Sequence, residues 1–243
     1  MEVGPLVGGA YYIGDLNPGK HFLNTQLAYG ALARINFDTR WAIKLAVTNG
    51  KVKGSSAQSS FLPDNSLQFE SSVTDISAVC EFNFFSYFTG SKWNSISPYI
   101  YAGIGFFFFD PMSDGQKLRE MGTEGQNVGY EGRKPYSTIG LGIPMGVGVK
   151  YSLSKAIGLC AFWEIHKTFT DYLDDVSSTY YLAGPTIDVG NPSQMLSDPT
   201  RNHQPGMQRG NPENNDWFAF FGVSVTYKFN LVSTRKCRDK KFN

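Results

Sequence analysis

Glu164 and His166 stand two positions apart in IGLCAFWEIHKTF (157–169). On an extended strand that spacing puts both side chains on one face. An imidazole beside a carboxylate is the pair that acid–base chemistry uses, and beside a hydroxyl it makes a nucleophile. Ser224 and Thr226 in WFAFFGVSVTYKF (217–229) share the corresponding face and are the candidate hydroxyls. Arg34, Lys44, Asp75 and Glu81 fall on the same kind of face in their own segments. Charges removed from water have to be paired. The set Arg34, Lys44, Asp75, Glu81, Glu164 and His166 therefore reads first as a structural plug of mixed sign, with Arg34 and Lys44 held against Glu81 and Glu164. Proton or ion passage and catalysis are its alternatives.

Recognised catalytic signatures do not support the catalytic alternative. There is no GxSxG elbow, no HExxH and no phosphate-binding loop, and VTNGKVKGSS (47–56) has glycine and lysine at the wrong spacing. His21, His166 and His203 show no ligand spacing. Cys80, Cys160 and Cys237 are too few and too scattered for a zinc site or a disulfide framework. The expectation is a chain with no catalytic residues, no metal and no cofactor.

The faces themselves come from a repeated period of two. In STIGLGIPMGVGVKYS (137–152) Ile139, Leu141, Ile143, Met145, Val147, Val149 and Tyr151 alternate with Gly140, Gly142, Pro144, Gly146, Gly148 and Lys150. Alternation of this kind marks a strand. It recurs in Leu27–Phe37, Trp41–Val47, Thr74–Phe84, Ile157–Phe169 and Trp217–Phe229, and less cleanly in Val3–Ile13 and Tyr99–Phe109, which are rich in glycine and aromatics. The predicted fold is all-β, an eight-stranded antiparallel up-and-down barrel.

The second face of 139–151 is nearly all glycine, and that of 217–229 carries Phe218 and Phe220. Such faces make a poor water-facing exterior. They suit the interior of an eight-stranded barrel, which is only wide enough for side chains to fill. The apolar faces then look outward to lipid, and the missing side chains leave room for bulkier ones from other strands. A soluble barrel or sandwich is the competing reading. Tight turns at 37–40 and 152–156, with a moderate connection at 85–98, alternate with long connections at 14–26, 48–72, 110–137 and 170–216, the layout of an outer-membrane barrel. Interfacial aromatics are expected at both rims: Trp41, Tyr99, Tyr151, Tyr227 and Phe229 at the short-turn rim, and Tyr11, Phe109, Tyr136, Phe169 and Trp217 at the other.

Composition is consistent with this. Charged residues are 18%, below the roughly 25% of soluble domains, and aromatics are 15%. The formal net charge of +1 indicates no nucleic-acid partner. No apolar run is long enough for a transmembrane helix. The opening MEVGPLVGG lacks the basic and apolar regions of a secretory leader and reads as the start of a mature or cytosolic chain.

GGAYYIGDLNP (8–18), RWAIKLAV (40–47), PYIYAGIGFFFFDP (98–111) and FTDYLDDVSSTY (169–180) resemble the small outer-membrane barrels of the Bacteroidetes. Among these the resemblance is greatest to the PorG family of the type IX secretion system. It implies an integral outer-membrane protein with no enzymatic activity and no cofactor. It also implies a periplasmic ring of the PorK and PorN type as partner. A passive or ligand-binding OmpW-like barrel and a lipid-modifying enzyme are the other functions weighed.

Two further segments read as functional. The connection 170–216 has seven acidic and two basic residues, is rich in Pro, Gly and Asn, and is expected to be irregular and partly mobile, either as a solvated acidic surface loop or as a contact for another component at the cell surface. After a barrel over 1–230 the chain ends in a basic tail, LVSTRKCRDKKFN (231–243). With both termini periplasmic, Arg235, Lys236, Arg238, Lys240 and Lys241 are placed to meet the ring by charge complementarity. Cys237 lies among these cations without an internal mate, which suggests an intermolecular disulfide.

Overall fold

Each alternating segment is a strand in the computed structural model, which describes residues 1–59 and 66–229. The eight long strands are β1 (Glu2–Ile13), β2 (Gln26–Asn36), β3 (Trp41–Ser55), β4 (Gln68–Asn83), β5 (Ile96–Ser113), β6 (Ile139–Ser152), β7 (Ile157–Thr168) and β8 (Trp217–Lys228). Each pairs antiparallel with its neighbour in sequence. β8 returns to β1, with Ile13 opposite Trp217 and Glu2 opposite Lys228. The result is a closed eight-stranded up-and-down barrel. Closure removes the unpaired sheet edges that an open sheet would present.

The exterior is apolar in a continuous band. Leu27, Leu45, Val47, Ile76, Ile104, Phe106, Val147, Val223 and Val225 are all exposed. From Ile96 to Phe108, a strand tilted near 45° carries this band over about 28 Å of height, close to the hydrocarbon thickness of a bilayer. A soluble monomer rarely exposes so large a contiguous apolar surface. Above the band, the outward positions of β3 and β4 turn polar at Asn49 and Thr74. Exposed ion pairs follow, with Lys53 2.8 Å from Glu70 and Lys117 2.9 Å from Asp110. This boundary explains why β3, β4 and β5 run past the expected ends. The segment expected as a connection from Thr48 to Ser72 is strand up to Ser55 and again from Gln68. Its polar outward residues hid the alternation because that part of the wall stands in water.

The glycine face of β6 is filled from the neighbouring strand. A Cβ at Gly140 would lie 2.2 Å from the Phe107 ring, and one at Gly148 would lie 2.6 Å from the Tyr99 ring. The aromatic rims are therefore only partly as expected. Trp41, Tyr151, Tyr227, Phe229 and Phe169 face outward and are exposed. Tyr99 and Phe109 point into the lumen instead, on the inner parity of β5, and are buried. Tyr136 stacks on Tyr172 within the loops, with ring centroids 4.5 Å apart. Tyr11 is outward but covered by Phe22, and its hydroxyl accepts a bond from Trp163 Nε1 at 2.8 Å.

Connection 170–216 is not featureless. It carries a short helix, α2 (Pro192–Ser197), capped by the Asn191 side chain, and packs against a single-turn helix, α1 (Leu118–Met121), from the preceding long connection. Together these loops form a cap over the long-loop rim. At the opposite rim, the backbone carbonyl of Phe229 accepts a bond from the Met1 amine at 3.2 Å, so both ends of the barrel lie there.

Candidate functional site

Arg34 on β2 and Lys44 on β3 are paired in register and both point inward. Like charges side by side repel, and the lumen separates them onto different carboxylates. Arg34 donates to Glu81 from Nε at 2.7 Å and to Glu2 from Nη1 at 2.9 Å. Lys150 donates to the same Glu81 at 2.6 Å. Lys44 donates to Glu164 at 3.0 Å and lies 4.2 Å from the Tyr101 ring centroid. On the other side of Glu164, His166 Nε2 is 3.0 Å from Oε1, while His166 Nδ1 is 3.5 Å from Asp75 Oδ1.

All six charged residues singled out in the sequence thus line one interior. Two others join them, Glu2 and Lys150. Lys150 was legible, since it continues the inward parity of Gly146 and Gly148. Glu2 sits one step past the strand segment read from the pattern. In the lower group two acids, Glu2 and Glu81, face two bases, Arg34 and Lys150, so the formal charges cancel.

The network is closed at both ends. Below it, the connection 84–95 turns inward: Tyr87 and Thr89 are buried, and Thr89 donates to Glu2 Oε1 at 2.6 Å. Above it, Phe107, Phe109, Phe218, Phe220, Val73, Tyr12 and Leu173 form one apolar cluster. His166 stacks on Phe218 with centroids 4.3 Å apart. The candidate nucleophile Ser224 is not brought to His166. It lies opposite Cys160, whereas His166 lies opposite Phe218, near the other end of the same strand pair.

Over the aromatic cluster the cap buries acids. Asp15, Glu124, Asp171, Asp174, Asp175 and Asp216 are all withdrawn from solvent, contrary to the expected solvated acidic loop. Arg209 serves part of this group, donating to Glu124 Oε1 at 3.1 Å and to the Asp175 carbonyl at 2.5 Å. The Tyr12 hydroxyl lies between Asp174 and Asp216. Burial raises the carboxyl of Asp171 to about 9, and those of Asp15 and Asp175 to about 6. A carboxyl raised on folding stabilises the native state below its unfolded value, near 4, and that stabilisation is lost as pH rises through the folded value. The cap should therefore weaken from about pH 4 to pH 9 while the barrel stays intact. Hydrogen exchange at the Leu173 and Val176 amides, which bond to Asp216 and Asp174, reads this directly once corrected for the intrinsic rate. Protection should fall on alkalinisation, and Asp171→Asn should flatten the alkaline part. Constant protection across that range would show that the acids do not control the cap.

The tail residues Arg235, Lys236, Cys237, Arg238, Lys240 and Lys241 lie outside the described residues. Cys80 faces outward and Cys160 inward, so these two are not placed to pair with each other.

The profile described as "Domain of unknown function (DUF6089)" matches residues 1–181. The chain belongs to the DUF6089 family. The match takes in seven of the eight strands of this DUF6089 barrel and the first part of its cap. No curated protein shows significant sequence similarity to it. Solved structures of similar architecture include Neisserial surface protein A, at 11% identity and a TM-score of 0.49, covering 94% of this chain and 96% of that one. The attachment invasion locus protein Ail of Yersinia pestis is similar at 12% identity and a TM-score of 0.44, over 94% and 98% of the two chains. The outer membrane protein OprG of Pseudomonas aeruginosa is similar at 12% identity and a TM-score of 0.40, over 94% and 96%. Within the DUF6089 barrel itself, closure, a lipid-facing band, short turns at one rim and long loops at the other form the architecture of an integral outer-membrane protein.

Proposed function

We propose that this barrel is a sealed, non-enzymatic anchor in the outer membrane, and a component of type IX secretion machinery that contacts a periplasmic ring of the PorK and PorN type. The filled lumen carries the first half of this reading. Its ion pairs are buried between an aromatic cluster and an inward-turned connection. The work of such a barrel falls to its two rims. The second half rests on the sequence resemblance and on placement. Both barrel ends lie at the short-turn rim, which is periplasmic in this reading. The tail that follows carries five cations and one acid, a charge pattern that steers toward acidic partners.

Affinity purification from detergent-solubilised membranes tests it, comparing the full chain with one stopped after Asn230 and with Cys237→Ser. The full chain should bring down ring proteins, and the truncation should lose them. A band on non-reducing gels that vanishes in Cys237→Ser would add the disulfide. Equal recovery of the ring by the full chain and the truncation at high salt would exclude the tail as the link. Failure of the full chain to recover any ring component would remove the secretion role.

A further inference from the structure

We infer that the lumen holds a divalent transition-metal ion of the zinc type between His166 Nδ1 and Asp75, with Glu164 as the carboxylate that orients the histidine. The three groups offer ligand atoms within 4.8 Å of one another, all buried. They come from β4 and β7, far apart in sequence, so no local spacing announces them.

The argument begins with unpaired atoms. His166 Nδ1 and both carboxylate oxygens of Asp75 are buried and have no hydrogen-bond partner among the described residues. Ser77 Oγ, two positions along on the same inner face, is in the same state. Leaving such groups unsatisfied is costly, and each calls for an explanation. The opposite nitrogen is occupied: Nε2 meets Glu164 Oε1 at 3.0 Å, and Lys44 holds the other oxygen of that carboxylate. A proton on Nε2 leaves the Nδ1 lone pair facing a carboxylate oxygen. Two acceptors facing each other repel unless a metal ion or a second ring proton lies between them.

The distance then discriminates. Nδ1 is 3.5 Å from Asp75 Oδ1. A charge-assisted N–H···O bond at its optimum is about 2.7–2.9 Å long. Two ligands bound at about 2.1 Å with a tetrahedral angle between them stand about 3.4 Å apart. The separation matches two ligands of one metal; with both ring nitrogens protonated the same contact is an ion pair, and the nitrogen-15 readout below separates the two. The surroundings fit as well. A ligating histidine commonly gives its other N–H to a carboxylate, which is the place of Glu164 here. One imidazole with carboxylate and hydroxyl oxygens suits a borderline divalent ion. Gly105 on the neighbouring strand β5, paired with Ser77, adds no side chain to the spot: a Cβ there would lie 2.9 Å from Asp75 Oδ1 and 3.4 Å from Ser77 Cβ. Ser77 Oγ and water would complete the shell. Because the lumen is closed above and below, the ion would enter during folding and exchange slowly afterwards.

The experiment refolds the full chain into detergent micelles with Zn2+, with Co2+ or with a chelator. Wild type refolded with either ion should carry about one metal per chain after gel filtration and keep it when chelator is added to the folded barrel. The Co2+ form should show visible d–d absorption. Asp75→Asn and His166→Gln should each lower bound metal at least tenfold, and Glu164→Gln should weaken affinity about 10–100-fold. Nitrogen-15 spectra of the imidazole add a readout that needs no variant to fold: Nδ1 should appear as a ligand and Nε2 as N–H. Less than a tenth of an equivalent in refolded wild type would overturn the site. So would metal retained by folded Asp75→Asn and His166→Gln, or two protonated ring nitrogens in wild type refolded with Zn2+.

Discussion

Replacing Glu81 with alanine should destabilise the barrel by about 3–5 kcal/mol, among the largest losses from a single change to its lumen. Glu81 is fully buried and is the shared acceptor of two cations, Arg34 and Lys150. Without it, Arg34 keeps Glu2, but Lys150 is left with the faces of Tyr99 and Tyr87, 4.5 and 5.9 Å from its nitrogen. An uncompensated buried ammonium is the costly state, not the absence of the pair itself. The double variant Glu81→Ala with Lys150→Met should therefore be more stable than Glu81→Ala alone, although it removes a further charged group. Urea unfolding in micelles, followed by tryptophan fluorescence, gives both numbers. A loss below about 1 kcal/mol for Glu81→Ala, or no recovery in the double variant, would mean that water reaches these charges.

The glycine face of β6 supports the second large effect. Gly140→Ala should cost about 1–3 kcal/mol by overpacking. Its new methyl would meet Cζ, Cε1 and Cε2 of Phe107, all within 2.8 Å, and no backbone atom is nearer. The conflict is therefore with one ring, and shrinking that ring should relieve it. In a double-mutant cycle with Phe107→Leu, the two changes together should cost at least 1 kcal/mol less than the sum of each alone. Additive costs would place the Phe107 ring elsewhere and undo the account of why β6 lacks inward side chains.

Much of this barrel was legible in the residues because one physical rule, alternation, governs most of its length. Where the outward face meets lipid, apolar residues alternate with glycine or charge, and all eight strands were read from that contrast. The reading stopped short at Thr48 and Ser72 because Lys51, Lys53 and Glu70 face water there, and a polar outward face next to Gly50 and Gly54 resembles a loop. Tyr99 and Phe109 were misread because an aromatic near a strand end suits either an interfacial belt or a lumen opposite glycine, and parity decided for the lumen. The charged interior was legible as a set, since each member shares its strand's inner parity. The opposition of Arg34 and Lys44 to Glu81 and Glu164 was legible too, and register across the barrel sorts it into Arg34 with Glu81 and Lys44 with Glu164. The cap was least legible. Seven acids in 170–216 read as a solvated loop, and Asp188 and Glu213 are exposed, whereas burying the other five depends on contacts with distant parts of the chain such as Tyr12, which donates to Asp174 and Asp216. The Asp75–His166 approach has the same character, being a product of closure and not of any local motif.

The claim on which the rest depends is that the lumen is shut. Single-channel recording on the purified full chain in planar lipid bilayers measures this most directly. The account predicts insertion without a steady open level, in wild type and in Glu81→Ala alike, because the aromatic cluster and the Tyr87–Thr89 connection still close the two ends. A large, stable conductance from the wild-type protein would contradict it and would make the charged interior a conduction path instead of a plug.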